Sequence, residues 1–373
     1  MKKFVFLLLS MYLLSGVAQA AGPIKTGLMG PITGSWASEG QEMKQVLNLL
    51  VEELNAGGGV NGAKVELITE DDGGDPRTAA LAAQRLATLG VTAVIGTYGS
   101  AVTEATQNIY DENKIIQIAN GSTAIRLTEK GLRYFFRTCP RDDEQAKVAV
   151  EAIEKLGVKK LAILHDNSTY AKGLADQAKR LVENKKGVQI VFFDALTPRE
   201  QDYTTILTKM KAASPDFVFF TGYYGEAGLL LRQKKEIGWS VTFMGGDATN
   251  NADLVKAAGR DAAAGFYFIS APLPKDLPSK EAKDFTAAFA QKYGNPPSSI
   301  YSVLAGDGFR VVTYAIAQTK TTDPDKLADY LHTGLKDFPG LTGKISFNEN
   351  GDRIGDVYRL YKVDPDGQFI LQP

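Results

Sequence analysis

The sequence predicts an α/β protein of two lobes, each a parallel sheet flanked by helices. Apolar strands alternate with amphipathic helices along the chain, an order that gives parallel strands joined by right-handed helical crossovers. This alternation stops near residue 139 and then begins again. The 373 residues also exceed what a single compact core usually serves. We therefore expect two lobes joined by three crossings of the chain, with a cleft between them.

Residues 1–21 have the composition of a signal peptide. Lys2 and Lys3 precede a short apolar run, which ends in small residues at Ala18 and Ala20. Such a run is typical of a cleaved export signal and is too short to span a bilayer. The residue directly after the expected cleavage site is not cysteine, and no later apolar run is long enough to cross a membrane. We expect a soluble periplasmic protein without a lipid anchor.

Before the first crossing, apolar periodicity predicts alternating strands and helices. In the first helix, Met43, Val46, Leu47, Leu50 and Leu54 share one face, as a helix packed on a sheet requires. The expected strands are 24–28, 64–70, 91–96 and 115–119, and the expected helices are 39–55, 76–89 and 103–112.

After residue 140 the same alternation recurs without a repeat of the sequence. The expected strands are 160–164, 188–193, 217–221, 242–244 and 265–270, and the helices between them are 172–183, 204–213 and 227–237, with two more at 281–293 and 299–318. Crossings between the lobes are expected near Cys139, Pro272 and Gly351. Residues 22–139 and 273–350 would form the N-terminal lobe, and residues 140–272 and 351–373 the C-terminal lobe.

Composition and motifs exclude several classes of function. The net charge is −1 with Lys and Arg scattered along the chain, which argues against a nucleic-acid partner. Cys139 is the only cysteine, so an internal disulfide is impossible. The chain has neither a Gly-x-Ser-x-Gly elbow nor a phosphate-binding loop, and of its two histidines only His165 is placed to act as a general base. We therefore expect that the protein is not an enzyme and that it binds no cofactor.

Acidic residues at 71, 72 and 75 raise the question of a metal site. Their spacing does not match a calcium loop. A turn whose carboxylates cap the following helix is the favoured interpretation, and no metal is expected.

Polar loops follow several of the expected strands, at the edge of a parallel sheet where ligands bind. The most informative is residues 94–104, an apolar strand, a glycine turn and then a helix start at Ser100. A helix start offers free N–H groups and a positive dipole end to an anion. Ser100 either adds a hydroxyl to such a site or caps its own helix.

The order of these features resembles a known family. The matching segments are Gly30-Pro31-Ile32-Thr33-Gly34 with Gly40, residues 55–62, Asp71-Asp72 with Asp75-Pro76, Ile95-Gly96 before Ser100, His165-Asp166 before Tyr170, and Phe243-Met244-Gly245. In this order the chain resembles the periplasmic solute-binding proteins of branched-chain amino acid ABC transporters, the leucine/isoleucine/valine-binding protein family. The resemblance covers essentially the whole mature length and implies the type I periplasmic binding ("Venus flytrap") fold.

The resemblance implies ligand contacts from the first lobe. Ser100 matches a serine that binds the ligand carboxylate, and Thr123 matches a threonine shared between carboxylate and ammonium. Gly121 matches a residue whose carbonyl accepts from the ammonium, and Ser122 lies between the last two.

The resemblance also implies ligand contacts from the second lobe. Tyr170 and Tyr223 match aromatic residues of the cleft. Asp247 stands where leucine-type binders carry a glutamate that pairs with the ammonium.

Two departures from the family concern the pocket for the ligand side chain. Relatives usually carry an aromatic residue at the position of Glu39, and a disulfide at the position of Gly99. Glu39 either contacts a polar or cationic ligand together with Trp36, or caps a helix start and never meets the ligand, which is slightly favoured. Trp36, Glu39 and Tyr98 are the weaker candidates for ligand binding.

We therefore expect a monomeric binding component of an ABC importer that delivers an amino acid or a similar solute to a membrane permease. The alternatives are the same fold with an amide, a 4-aminobutyrate-like or an aromatic carboxylate ligand, or a ligand sensor. A cytoplasmic repressor would carry a DNA-binding motif instead of an export signal, and a receptor ectodomain would continue into a membrane span.

Overall fold

Two large sheets covered by helices form the framework of the protein. The computed structural model describes residues 22–185, 187–355 and 357–373. The expected signal peptide lies outside these residues. The alternation of strands and helices is confirmed, and each large sheet is parallel in its centre.

The first sheet is parallel throughout and has the strand order β2-β1-β3-β4-β5. Its strands are β1 (Ile24–Gly30), β2 (Val65–Asp71), β3 (Ala93–Ile95), β4 (Ile116–Ala119) and β5 (Phe135–Arg137). The helices between them are α1 (Ala37–Ala56), α2 (Pro76–Thr88), α3 (Ser100–Glu112) and α4 (Arg126–Glu129). The apolar face predicted for the first helix is buried, since Met43, Val46 and Leu47 are inaccessible to solvent.

The second sheet joins five parallel strands to two antiparallel strands from the end of the chain. The parallel strands are β6 (Lys160–His165), β7 (Gln189–Ala195), β8 (Phe217–Thr221), β9 (Thr242–Gly245) and β10 (Tyr267–Ser270). Around them lie α5 (Asp142–Lys155), α6 (Thr169–Glu183), α7 (Thr204–Ala212), α8 (Tyr224–Glu236), α9 (Ala252–Ala258) and α10 (Arg260–Ala263).

The chain returns to the first sheet after β10. There it forms α11 (Lys280–Tyr293), α12 (Ile300–Thr319), α13 (Pro324–Asp329) and a hairpin of β11 (Phe338–Gly340) and β12 (Gly343–Ile345). The buried helix α12 packs on α1 and against β3 and β4. The last strands, β13 (Arg359–Val363) and β14 (Phe369–Leu371), then extend the second sheet beside β10. The residue boundaries of the two lobes stay a prediction.

Three connections run between the sheets, and a buried arginine ties two of them together. Arg137, at the end of β5, is inaccessible to solvent, and its Nε donates to Asp352 Oδ1 over 2.6 Å. Its other nitrogens donate to the carbonyls of Ser122 and Ala124 and to the Thr128 hydroxyl. A buried guanidinium is stable only with such a set of acceptors. The first and third connections are therefore fixed to each other and to the loop after β4.

None of the helices in the described ranges combines the length and apolarity needed to cross a bilayer. Cys139 is buried in the first connection, where burial raises the pKa of its thiol to about 12.

Candidate functional site: a cleft between the two sheets

The start of α3 faces the loop after β4, at the carboxyl edge of the first sheet. Ser100 is the first residue of α3 and is buried, and its Oγ accepts from the backbone N of Ala124 over 3.2 Å. The N-cap position belongs to Gly99, so the alternative that Ser100 caps its own helix is wrong. The serine instead joins the two loops in which the sequence predicts ligand contacts.

Two side-chain hydroxyls in the loop after β4, those of Ser122 and Thr123, differ in their hydrogen bonds. Ser122 Oγ donates to the carbonyl of Thr97 over 3.1 Å and accepts from Thr103 over 2.6 Å, so it holds the loop before α3 in place. Thr123 Oγ1 is buried and has no partner of hydrogen-bond geometry among the described residues, but its side chain lies close enough to the Asp142 carboxyl to lower the pKa of that acid. Gly121 lies against Tyr98, where a Cβ would come within 2.9 Å of the ring. Thr123 is therefore the better placed of the two hydroxyls to bind a ligand.

Asp247 lies opposite these loops, directly after β9. It is 4% exposed, and Tyr358 donates to its Oδ2 over 3.1 Å while its backbone N donates to Gln145 Oε1 over 2.8 Å. Burial raises the pKa of Asp247, and hydrogen bonds from Tyr170 and Tyr358 offset part of that effect. Gly246 permits this packing, because a Cβ there would lie 2.3 Å from the Tyr170 hydroxyl.

A second acid, Asp142, lies near Asp247 and was missed by sequence reasoning. It is the first residue of α5 and is inaccessible to solvent. Burial, and then the charge of Asp247, raise the pKa of Asp142 well above its ordinary range. Its Oδ2 has no hydrogen-bond partner in the described ranges, and the ion pairs found there include neither acid. The charge of Arg137 opposes this rise in pKa without forming an ion pair with Asp142. Two buried carboxyls that lack an ion-pair partner in the described ranges favour a positively charged group between them.

Five aromatic rings surround the space between the loops. Trp36 stacks on Tyr223 with centroids 4.1 Å apart and meets Tyr98 edge-on at 5.5 Å. Tyr98 in turn meets Tyr301 at 5.0 Å, and Tyr223 lies 5.6 Å from Tyr170. Tyr301, near the start of α12, was also missed, although its position at a helix start beside Ser299 was readable from the sequence. The rings close the cleft from both lobes.

Glu39 links residues of the two lobes. Its carboxylate accepts from Asn251 Nδ2 over 2.6 Å, in the second lobe, and from the hydroxyl of Ser299, in the first. The interpretation that Glu39 caps a helix start is wrong, because neither donor is a backbone N–H of α1. Glu39 is instead one of several groups that join the lobes, as is Tyr224, which donates to the carbonyl of Ser35 over 2.9 Å.

The remaining polar candidates have structural partners. Asp75 caps α2 by accepting from the N–H groups of Arg77 and Thr78, which confirms the capping interpretation. His165 Nδ1 accepts from the backbone N of Asn167, and burial lowers the pKa of His165. Within residues 22–185, 187–355 and 357–373 no cluster of three or more metal-binding side chains occurs.

Comparison with known proteins places the chain in a family. A periplasmic binding protein family model matches residues 23–368. A leucine-, isoleucine-, valine-, threonine- and alanine-binding protein of Pseudomonas aeruginosa is 33% identical over 94% of this chain and 92% of its own length. A Leu/Ile/Val-binding protein of Rhizobium johnstonii is 35% identical over 92% of each chain.

A solved structure gives the same result. The substrate-binding protein LivJ of a Streptococcus pneumoniae branched-chain amino acid transporter, in complex with isoleucine, superposes with a TM-score of 0.85. It is 31% identical, and the match covers 94% of this chain and 99% of that one. The chain therefore belongs to the periplasmic binding protein family, among the solute-binding components of amino-acid ABC importers.

Proposed function

We propose that this protein binds one α-amino acid between its lobes, with separate groups of residues for the two charged ends of the ligand. The proposal rests on the pair of buried acids: Asp142, whose backbone N donates to the carbonyl of Thr123 over 3.0 Å, and Asp247, whose charge helps to raise the pKa of Asp142. Asp142 and Asp247 would bind the ammonium, together with the carbonyl of Gly121. Ser100, Thr123 and the free N–H groups of α3 would bind the carboxylate.

Closure follows from the placement of these groups. Ser100 and Thr123 belong to the first lobe, whereas Asp247, Tyr170 and Tyr223 belong to the second. A ligand that contacts both sets binds the closed arrangement more tightly and shifts the population toward it. The closed surface is then what a permease in the membrane would recognise. The solute is bound and released unchanged by a monomer, with no catalytic step.

The experiment is a calorimetric and thermal-shift comparison of amino acids with the matching carboxylates that lack the amine. Amino acids should bind, and at about one hundred times the dissociation constant they should add about 2.7 kcal/mol of stability. The deaminated analogues, benzoate and simple amides should bind far more weakly, because they leave two buried acids without a cation.

Asp247→Asn supplies the mutational arm. It should weaken amino-acid binding at least tenfold while leaving the protein folded. The matched control is Asp307→Asn, since Asp307 is equally buried but accepts from the backbone N–H groups of Leu341 and Thr342, away from the cleft. Preference of the wild-type protein for a carboxylate without an amine would refute the proposal, as would unchanged amino-acid affinity in Asp247→Asn.

A further inference from the structure

Gln145 contacts both buried acids and is itself inaccessible to solvent. It lies on α5, the helix that Asp142 begins. Its Oε1 accepts from the backbone N of Asp247 over 2.8 Å. Its Nε2 donates to Asp142 Oδ1 over 3.2 Å and to the Tyr358 hydroxyl over 3.2 Å. A buried amide needs partners for its oxygen and for both of its hydrogens, and these three contacts supply them.

The backbone of Asp247 fixes the way in which this amide faces. An N–H group can only donate, so the atom of Gln145 that faces it must be the oxygen. A flipped amide would place two donors against each other at Asp247 and would turn its oxygen toward the carboxyl oxygen of Asp142. Both contacts would leave buried polar groups unsatisfied, which is costly. The nitrogen of the amide is therefore directed at Asp142 and Tyr358.

The same amide sets the direction of the hydrogen bond between Tyr358 and Asp247. The phenol oxygen accepts from Gln145 Nε2, and its one proton is donated to Asp247 Oδ2 over 3.1 Å. A ring of directed hydrogen bonds thus runs from the Asp247 N–H group through Gln145 and Tyr358 and back to the carboxyl of Asp247.

The amide also orients the carboxyl of Asp142. The Oδ1 atom accepts from Gln145, whereas Oδ2 has no partner of hydrogen-bond geometry among the described residues. The backbone N of Asp142 donates to the carbonyl of Thr123 over 3.0 Å, so its main chain is tied to the loop after β4. The donation from Gln145 then fixes the rotation of the side chain and leaves Oδ2 for a ligand.

We propose that Gln145 is a positioning residue for the ligand ammonium, whose amide orients the carboxyl of Asp142 directly and that of Asp247 through Tyr358. It acts through the two acids and not by contact with the ligand. This inference rests on the proposed function, because it takes Asp142 and Asp247 as the ammonium site.

The first test is the affinity for one amino acid in Gln145→Met, measured by calorimetry. Methionine keeps the length of the side chain and removes the amide, so binding should weaken at least tenfold. Gln233→Met is the matched control and should bind within twofold of the wild type. Gln233 is also buried, but its Oε1 accepts from the backbone N of Tyr203 over 2.6 Å and its Nε2 donates to the carbonyl of Gln201 over 2.7 Å.

A double-mutant cycle separates positioning from a merely structural role. In the Asp142→Asn background, Gln145→Met should cost less than threefold in affinity, because the charged carboxyl that the amide orients is absent. Weak binding in this background is followed by ligand-detected nuclear magnetic resonance. The same loss of affinity in both backgrounds would overturn the inference.

Tyr358→Phe supplies a test that does not depend on the folding of Gln145→Met, since it removes a single oxygen. It should weaken amino-acid binding at least threefold, and unchanged affinity would overturn the inference. Tyr361→Phe is its matched control and should bind like the wild type. Tyr361 is equally buried, but it donates to Asp276 Oδ2 over 2.9 Å and accepts from the backbone N of Leu273 over 3.0 Å.

The failure of this inference differs from the failure of the proposed function. Weaker binding in Asp142→Asn with unchanged binding in Gln145→Met would overturn only the role of Gln145. Unchanged binding in Asp142→Asn, or no amino-acid binding by the wild type, would overturn the proposed ammonium site and the role of Gln145 with it.

Discussion

Glu39→Gln should remove a pH dependence from the closure of the cleft. The Glu39 carboxylate is buried in the closed arrangement, where Asn251 of the second lobe donates to it over 2.6 Å. Burial raises the pKa of Glu39 from its ordinary 4.5 to about 7, with hydrogen bonds from Ser299 and Asn251 opposing the shift and the charges of Glu42 and Asp253 adding to it. When the lobes part, Glu39 meets water and its pKa returns toward the ordinary value. Closure of the cleft therefore takes up a proton at Glu39.

The sign and the size of the effect follow from this difference. The pKa of Glu39 is higher in the closed form, so protonation of Glu39 stabilises that form. This stabilisation of the closed form is complete below about pH 4.5 and is lost as the pH rises through about 7. A difference of about 2.5 in pKa corresponds to about 300-fold in affinity over the whole range, and to about 25-fold between about pH 5.5 and 8. Glutamine stays neutral throughout and can still accept from Asn251 through its amide oxygen.

The assay is calorimetry with one amino acid ligand from pH 5.5 to 8 in wild type and Glu39→Gln. Asp142 and Asp247 titrate in both proteins, so the difference between the two profiles isolates Glu39. Glu53→Gln is the matched control on the same helix, because Glu53 is exposed and is not among the groups that shift the pKa of Glu39. Parallel profiles for wild type and Glu39→Gln would refute the reasoning.

Three further predictions concern the site and the connections. Ser100→Ala should weaken binding by about 1.5–3 kcal/mol, the range for a hydrogen bond to a charged group; unchanged affinity in calorimetry would assign Ser100 only to the bond with Ala124. Saturation with ligand should reduce the radius of gyration in small-angle scattering, and identical profiles with and without ligand would contradict closure about the three connections. Asp352→Ala should lower the free energy of unfolding in urea by about 3–5 kcal/mol, since it leaves the Arg137 guanidinium buried without its carboxylate; a loss below about 1 kcal/mol would mean that other acceptors suffice.

The local pattern of the chain was enough to predict most of the strands and the longer helices, and the edge of the sheet expected to carry the site. Apolar periodicity is a property of neighbouring residues, so strands such as β6 and helices such as α1 were readable directly. Parallel strands place their carboxyl ends at one edge, which is why the loops at Ser100, Thr123 and Asp247 could be assigned to one cleft. The antiparallel strands β13 and β14 were not foreseen, because the last residues lack a strong apolar alternation.

Only the tertiary structure decided which polar groups meet. Asp142 follows a proline-containing crossing, and its sequence context predicts only an acidic residue in the first turn of a helix. In the folded protein it is buried near Asp247, which lies about one hundred residues later in the sequence. Glu39 finds Asn251 and Ser299 more than 200 residues away, and Trp36 finds Tyr223 in the other lobe. The sequence by itself determines secondary structure and topology through short-range pattern. The pairing of buried charges and rings depends on how the two lobes approach each other, which no local pattern encodes.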